Sequence, residues 1–290
     1  LQGADLESVL FINVDATGAD FRTTNFTDGR IENSIFDLAN LGGVALTDTK
    51  PENAGGIFNR YRGANLQAFR AEDVTLGSAD FRPYDPGLPG TQTGTIRIWT
   101  SDALPTDFNK ATDIVITNLS FTNLPDTNLS ASNFNGANLM GLMAEDLNLN
   151  GADFSAYRTS TGQYIATNLT DTILADNPNK PSKSEAIGAK FNSVILNRFS
   201  AEDVDLSGAD FSPLINPDTG RYITSAIDAA TGVAIPKPSN VPVRTQLNGA
   251  SLADSDMAGA NLTLIEAAGL FAEEVNLSNA KLQGAVLTNA

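Results

Sequence analysis

Apolar residues recur along this chain at a spacing of five. Between Ile114 and Phe154 they fall without a slip at Ile114, Leu119, Leu124, Leu129, Phe134, Leu139, Ala144, Leu149 and Phe154. Two positions before most of them stands a small or β-branched residue (Thr117, Thr122, Thr127, Ser132, Ala137, Ala152), and one position before stands Asn or Asp. A helix repeats at 3.6 residues and a strand at 2, so a period of five belongs to neither. It predicts a repeat architecture, in which short units stack on their neighbours to bury a shared core.

The same frame runs from Leu1 through Leu6, Phe11, Phe21, Phe26, Ile31, Phe36 and Leu41 to Leu46. It returns in Gly63-Ala64-Asn65-Leu66 and continues to Leu76 and Phe81, then at Leu169 and Leu174, from Phe191 to Phe211, and from Leu247 to Leu287. The stretches between are rich in Pro, Gly and β-formers, and place insertions at about 47–60, 82–111, 155–163, 177–187 and 212–244. Three insertions follow a shared motif: Ala71-Glu72-Asp73-Val74 leading to Phe81, Ala144-Glu145-Asp146-Leu147 leading to Phe154, and Ala201-Glu202-Asp203-Val204 leading to Phe211. From Ala144 to Ala201 the step is eight in-frame units. From Ala71 to Ala144 it is eight or nine, depending on whether Ile114 is a repeat position.

Gly136-Ala137-Asn138-Leu139 and Gly151-Ala152-Asp153-Phe154 resemble the pentapeptide-repeat family, whose consensus is A(D/N)LXX. The resemblance implies an all-β fold, a right-handed, four-sided β-helix solenoid with the Leu/Phe and the small residue inward, and the breaks in this chain's frame add three hairpin-like insertions to it. Roughly 40 pentapeptides would make about ten coils and a rod of ~50 Å, at about 4.8 Å per coil. Eight pentapeptides are then two full coils, so the three insertions leave one corner. Their Thr-Gly turns, as at Thr161-Gly162 and Thr219-Gly220, predict hairpins lying side by side as an accessory layer. The whole chain, 1–290, reads as one solenoid. Because it begins and stops in mid-frame without capping residues, it is expected to be a segment of a longer protein or to be covered by partners at its ends.

Composition narrows the chemistry. The 290 residues include no Cys and no His, which excludes disulfides, Cys-ligated zinc, thiolate catalysis and His-dependent triads. A net charge of −16 argues against direct binding of nucleic-acid phosphates. No run approaches the ~20 apolar residues of a membrane-spanning helix, and nothing indicates a compartment. Paired carboxylates remain, Glu72 with Asp73 and their equivalents, but the frame puts them outward on a convex wall with no pocket to shift a pKa. Asp218 and Asp228 lack the spacing of a calcium loop. The chain reads as a non-enzyme that needs no cofactor and no metal.

Tyr84, Trp99, Tyr157, Tyr164 and Tyr222 all lie in the insertions, and only Tyr61 lies elsewhere. Such side chains anchor protein interfaces, and they also fill small cores. The candidate partner-binding residues are Arg97, Trp99, Tyr157, Tyr164, Arg221 and Tyr222. The resulting expectation is a rigid scaffold presenting aligned arms to protein partners within a larger assembly. The family resemblance extends to cyanobacterial modules such as light-harvesting antenna linkers. It also implies an alternative, a mimic of duplex DNA that binds DNA gyrase. Against that stand Asn118, Asn123, Asn128, Asn133, Asn138 and Asn148, neutral amides at outward positions where a phosphate mimic needs carboxylates.

Overall fold

The computed structural model describes residues 1–47, 59–72, 74–88, 94–99, 107–176, 183–235 and 240–290. Among them every regular element is a strand of two or three residues. Parallel pairings link positions twenty apart, as in Asp5↔Asn25, Asp15↔Ile35 and Asp20↔Asn40, so one coil takes four pentapeptides. Each unit turns over a backbone bond from the residue three after the inward one, as from Ala4 N to the Leu1 carbonyl (3.0 Å) and Thr24 N to that of Phe21 (3.0 Å). The residue two after the inward one takes a positive φ, +71° at Gly18 and 52° at Asp28. Gly and Asp tolerate this left-handed conformation.

Insertions lengthen a coil without shifting its frame. The offset becomes 25 at Ile35↔Arg60, 53 at Asn65↔Asn118, 30 at Asn138↔Asn168, 27 at Asn168↔Ile195 and 51 at Ile195↔Gln246. Re-entry into the coil comes at Thr117, Thr167, Ser184 and Thr245, each buried at the small inward position. Ile114 is therefore not a repeat position. Its strand, Asp113–Val115, pairs with Thr95–Arg97, and Ile114 packs with Ile116 and Ile165 outside the coil. Ile114 is followed by apolar Val115 and Ile116, so its five-residue spacing to Leu119 is a coincidence of strand and frame. The insertions expected at 82–111 and 155–163 run to 116 and 166, and the one expected at 177–187 ends before Ser184, because Glu185 already bridges Asn148 and Asp205. Most of the expected 47–60 insertion, residues 48–58, lies outside the described residues.

Two columns of the core carry the argument. In one, Phe36, Tyr61, Phe81, Phe134, Phe154, Phe191 and Phe211 stack ring on ring, with centroids 4.8–5.3 Å apart. In the next, buried Leu and Ala alternate from coil to coil: Leu46, Ala71, Leu124, Ala144, Leu174, Ala201, Leu252. Where the inward residue is Ala, the residue two before it is large (Phe69, Leu142, Phe199), and where it is Leu that residue is small (Val44, Thr122, Thr172, Ala250). The exchange keeps the volume per coil nearly constant, as a close-packed interior requires. The shared Ala-Glu-Asp motif is the Ala half of this alternation.

The large insertions leave the aromatic column after Phe81, Phe154 and Phe211, which are alternate rings of the stack, and so share one corner at two-coil intervals.

Candidate partner-binding surface

Each arm docks on a turn of the coil below its exit. A Cβ built on Gly63 (φ +63°) would lie 2.6 Å from the Cβ of Tyr84, and one on Gly136 (φ +70°) 2.6 Å from that of Tyr157. Only glycine leaves room for these two chain crossings. At the third equivalent turn Ser193 accepts from Leu214 N (2.9 Å) and donates to the Val243 carbonyl (2.6 Å). The re-entry threonines close each loop. Gly63 N donates to Thr117 Oγ1 (2.7 Å), Gly136 N to Thr167 Oγ1 (2.7 Å), and Thr245 Oγ1 donates to the Phe191 carbonyl (2.6 Å).

Above these turns the arms join into one layer. The first supplies its own strands, Thr95–Arg97 beside Asp113–Val115, with Tyr84 antiparallel to Val115. The shorter second arm pairs Tyr157–Arg158 with Tyr164–Ala166, and takes a further strand, Ile227–Asp228, from the third. Asp85 of the first arm accepts from Ser160 N (2.6 Å), Ser160 Oγ (2.6 Å) and Tyr157 Oη (3.3 Å) of the second. Ile114 and Ile116, Ile165 and Ala229 form a common apolar cluster of all three.

The six candidate residues divide within this layer. Arg97 is spent internally, on Asp113 (2.9 Å) and Asp107 (2.9 Å). Half-buried Trp99 donates its Nε1 to the Gly63 carbonyl (3.0 Å). Burial, together with the charge of Asp85, pushes the Tyr157 hydroxyl up to about 12. The other three come together. Tyr164, Arg221 and Tyr222 line an open groove of about 620 Å³ beside the hairpin Ile215–Asn216/Arg221–Tyr222. Arg221 and Tyr222 are exposed, while Tyr164 is 7% exposed. Burial raises the Tyr164 hydroxyl, which therefore keeps its proton and stands as a donor.

The carboxylates do not gather. Glu72 pairs with Arg70 (2.6 Å), Glu202 accepts from Ser251 Oγ (2.9 Å), and Asp73 lies outside the described residues. Asp218 pairs with Arg158, and Asp228 accepts from Asn168 Nδ2 (2.7 Å). Among the described residues no three carboxylates are placed to hold a metal, and no helix is long and apolar enough to cross a membrane. The amides expected to face outward need correction. Asn118 and Asn138 are buried, in a ladder with Asn40 and Asn65 whose side-chain bonds are all 3.1 Å, and Asn123, Asn128, Asn133 and Asn148 are half-buried. Equivalent positions of successive coils lie one strand spacing apart, so each amide reaches the next.

The family model of pentapeptide repeats matches eight copies, over residues 1–28 and 117–155. No curated protein matches this chain. Solved structures that align with it include HetL, a pentapeptide repeat protein involved in heterocyst differentiation regulation from the cyanobacterium Nostoc sp. strain PCC 7120. It is 20% identical, over 99% of this chain and 90% of that one, with a TM-score of 0.36. A trypsin-treated form of QnrB1, a plasmid-mediated fluoroquinolone resistance protein, is 14% identical over 97% and 88%, with a TM-score of 0.30. Rfr23, from the cyanobacterium Cyanothece 51142, is 16% identical over 73% and 90%, with a TM-score of 0.14. Residues 1–28 and 117–155 are thus matched as pentapeptide repeats, and the five-residue frame and the twenty-residue pairing continue the same pattern beyond them.

Proposed function

We propose that this protein is a non-catalytic scaffold whose insertion layer binds a protein partner within a larger assembly. The observation that carries the reading is the groove of Tyr164, Arg221 and Tyr222, an exposed aromatic and an exposed cation beside a buried tyrosine, in a layer whose other aromatic anchors are engaged internally. Exposed Tyr and Arg together are the composition of an interface hot spot. A rod of stacked coils holds such a surface in fixed orientation, which lowers the cost of binding. The DNA-mimic alternative draws no support from the buried amide ladder, which presents neither charge nor solvent-facing acceptors to a partner. The test is co-purification from the native source followed by mass measurement of the intact complex, beside a variant whose three arms are replaced by short Gly/Ser links. A defined partner that is lost with the arms supports the scaffold. A protein that emerges alone, or with a topoisomerase whether or not the arms are present, overturns it.

A further inference from the structure

The Tyr164 hydroxyl is buried and has no hydrogen-bond partner among the described residues. A buried phenol without a partner costs stability, so it usually finds one. Tyr164 lines the same groove as Arg221, which is the one charged residue among those described there. The neighbouring Arg158 is neutralised by Asp218, so Arg221 alone gives the groove its charge. Asn216, Thr219 and Asn240 add neutral hydrogen-bonding groups along the wall, and the exposed ring of Tyr222 adds an apolar face.

Building on the scaffold reading, we infer that the groove receives one carboxylate side chain from an extended segment of the protein partner. The Arg221 guanidinium clamps it and the Tyr164 hydroxyl donates to it. A guanidinium offers two parallel N–H donors that match a carboxylate, and the phenol adds a third. One uncompensated cation balances one negative charge. A phosphate group carries nearly two and is read by clusters of Arg, which this groove lacks among its described residues. The Tyr222 ring covers the aliphatic stem of the bound residue, and the neutral groups meet its backbone.

The test uses the whole chain with ring-labelled tyrosine, followed by NMR during titration with acetyl-Gly-Glu-Gly-amide, acetyl-Gly-Gln-Gly-amide and inorganic phosphate. The Glu peptide is expected to shift the Tyr164 and Tyr222 resonances, and the Gln peptide and phosphate are not. Arg221→Gln and Tyr164→Phe should each weaken Glu-peptide binding about tenfold. Tyr164→Phe should also leave Tm unchanged or raised, because it removes a hydroxyl that the fold leaves unpaired. Equal binding of the Gln peptide, tighter binding of phosphate, no shift with any probe, or a clear fall in Tm for Tyr164→Phe would each overturn the inference. These outcomes are separate from the co-purification result. A partner that depends on the arms while the Glu peptide fails removes only the carboxylate assignment, whereas a protein that co-purifies alone removes the scaffold itself.

Discussion

An alanine pointing into a column of leucines leaves a void unless something larger arrives beside it. At Ala201 the filler is Phe199, and both are fully buried. Phe199→Ala alone should cost about 3–5 kcal/mol and Ala201→Leu alone about 1–3 kcal/mol. The double variant restores the volume and is expected to cost less than the sum, as read from denaturant midpoints. Strict additivity would show that the two side chains do not share one space. A second residue-scale prediction concerns acid. Burial raises the Asp153 pKa, but bonds from Ser155 and Asn135 and the charge of Lys190 outweigh it and hold the carboxyl below its ordinary value. A depressed folded pKa contributes stability that is present above the unfolded value, near 4, and is lost as pH falls through the folded one. Asp153→Asn should therefore lower Tm relative to the parent at pH 7, with the gap closing as pH falls below the ordinary carboxylate range. A gap independent of pH would remove the carboxylate from the account.

At the scale of elements, the docking turns decide whether the arms form a layer. Gly208 (φ +66°) and Gly136 (φ +70°) occupy equivalent turn positions, but a Cβ on Gly208 meets nothing within 4 Å. Gly208→Ala should cost only the left-handed penalty of about 1–2 kcal/mol. Gly136→Ala should cost about 1–3 kcal/mol more, because it pushes against Tyr157. Equal losses in thermal unfolding would mean that the arm does not bear on the turn. Much of this level was readable beforehand. The five-residue period marked the units, and the eight-unit step placed the arms, because spacing carries the geometry of a coil directly. Three features were hidden. Ile114 matched the period by chance, although its apolar neighbours Val115 and Ile116 are the signal that separates a strand from a repeat. The loan of Ile227–Asp228 to the second arm joins segments about sixty residues apart and has no local signature. The groove was legible only as a list of aromatic residues. Nothing in the sequence separated Tyr157 and Trp99, engaged by the layer, from Tyr164 and Tyr222, which line the groove.

For the molecule as a whole, pairing runs coil to coil from Asp5 to Val286, so stability is a sum over neighbours rather than a property of one centre. Leu139→Asp would place an unpaired charge at a site 1% exposed. It should unfold at least the coils carrying Leu119 and Leu169, seen as lost amide-exchange protection there ahead of the coils near Leu252. Parent-like melting with full protection would contradict the inward placement of Leu139. The two-coil interval between arms has a consequence of its own. Two coils rise by about 9.6 Å, and a two-stranded hairpin is just as wide, because both are multiples of one strand spacing of about 4.8 Å. Rod and layer are therefore commensurate. An arm two strands wide, such as Tyr157–Arg158 with Tyr164–Ala166, fits that interval, whereas arms of that width issued from every coil would collide. The same interval lets the third arm lend Ile227–Asp228 to the sheet of the second at the ordinary strand spacing, so the step of eight pentapeptides sets the pitch of the layer as well as that of the rod.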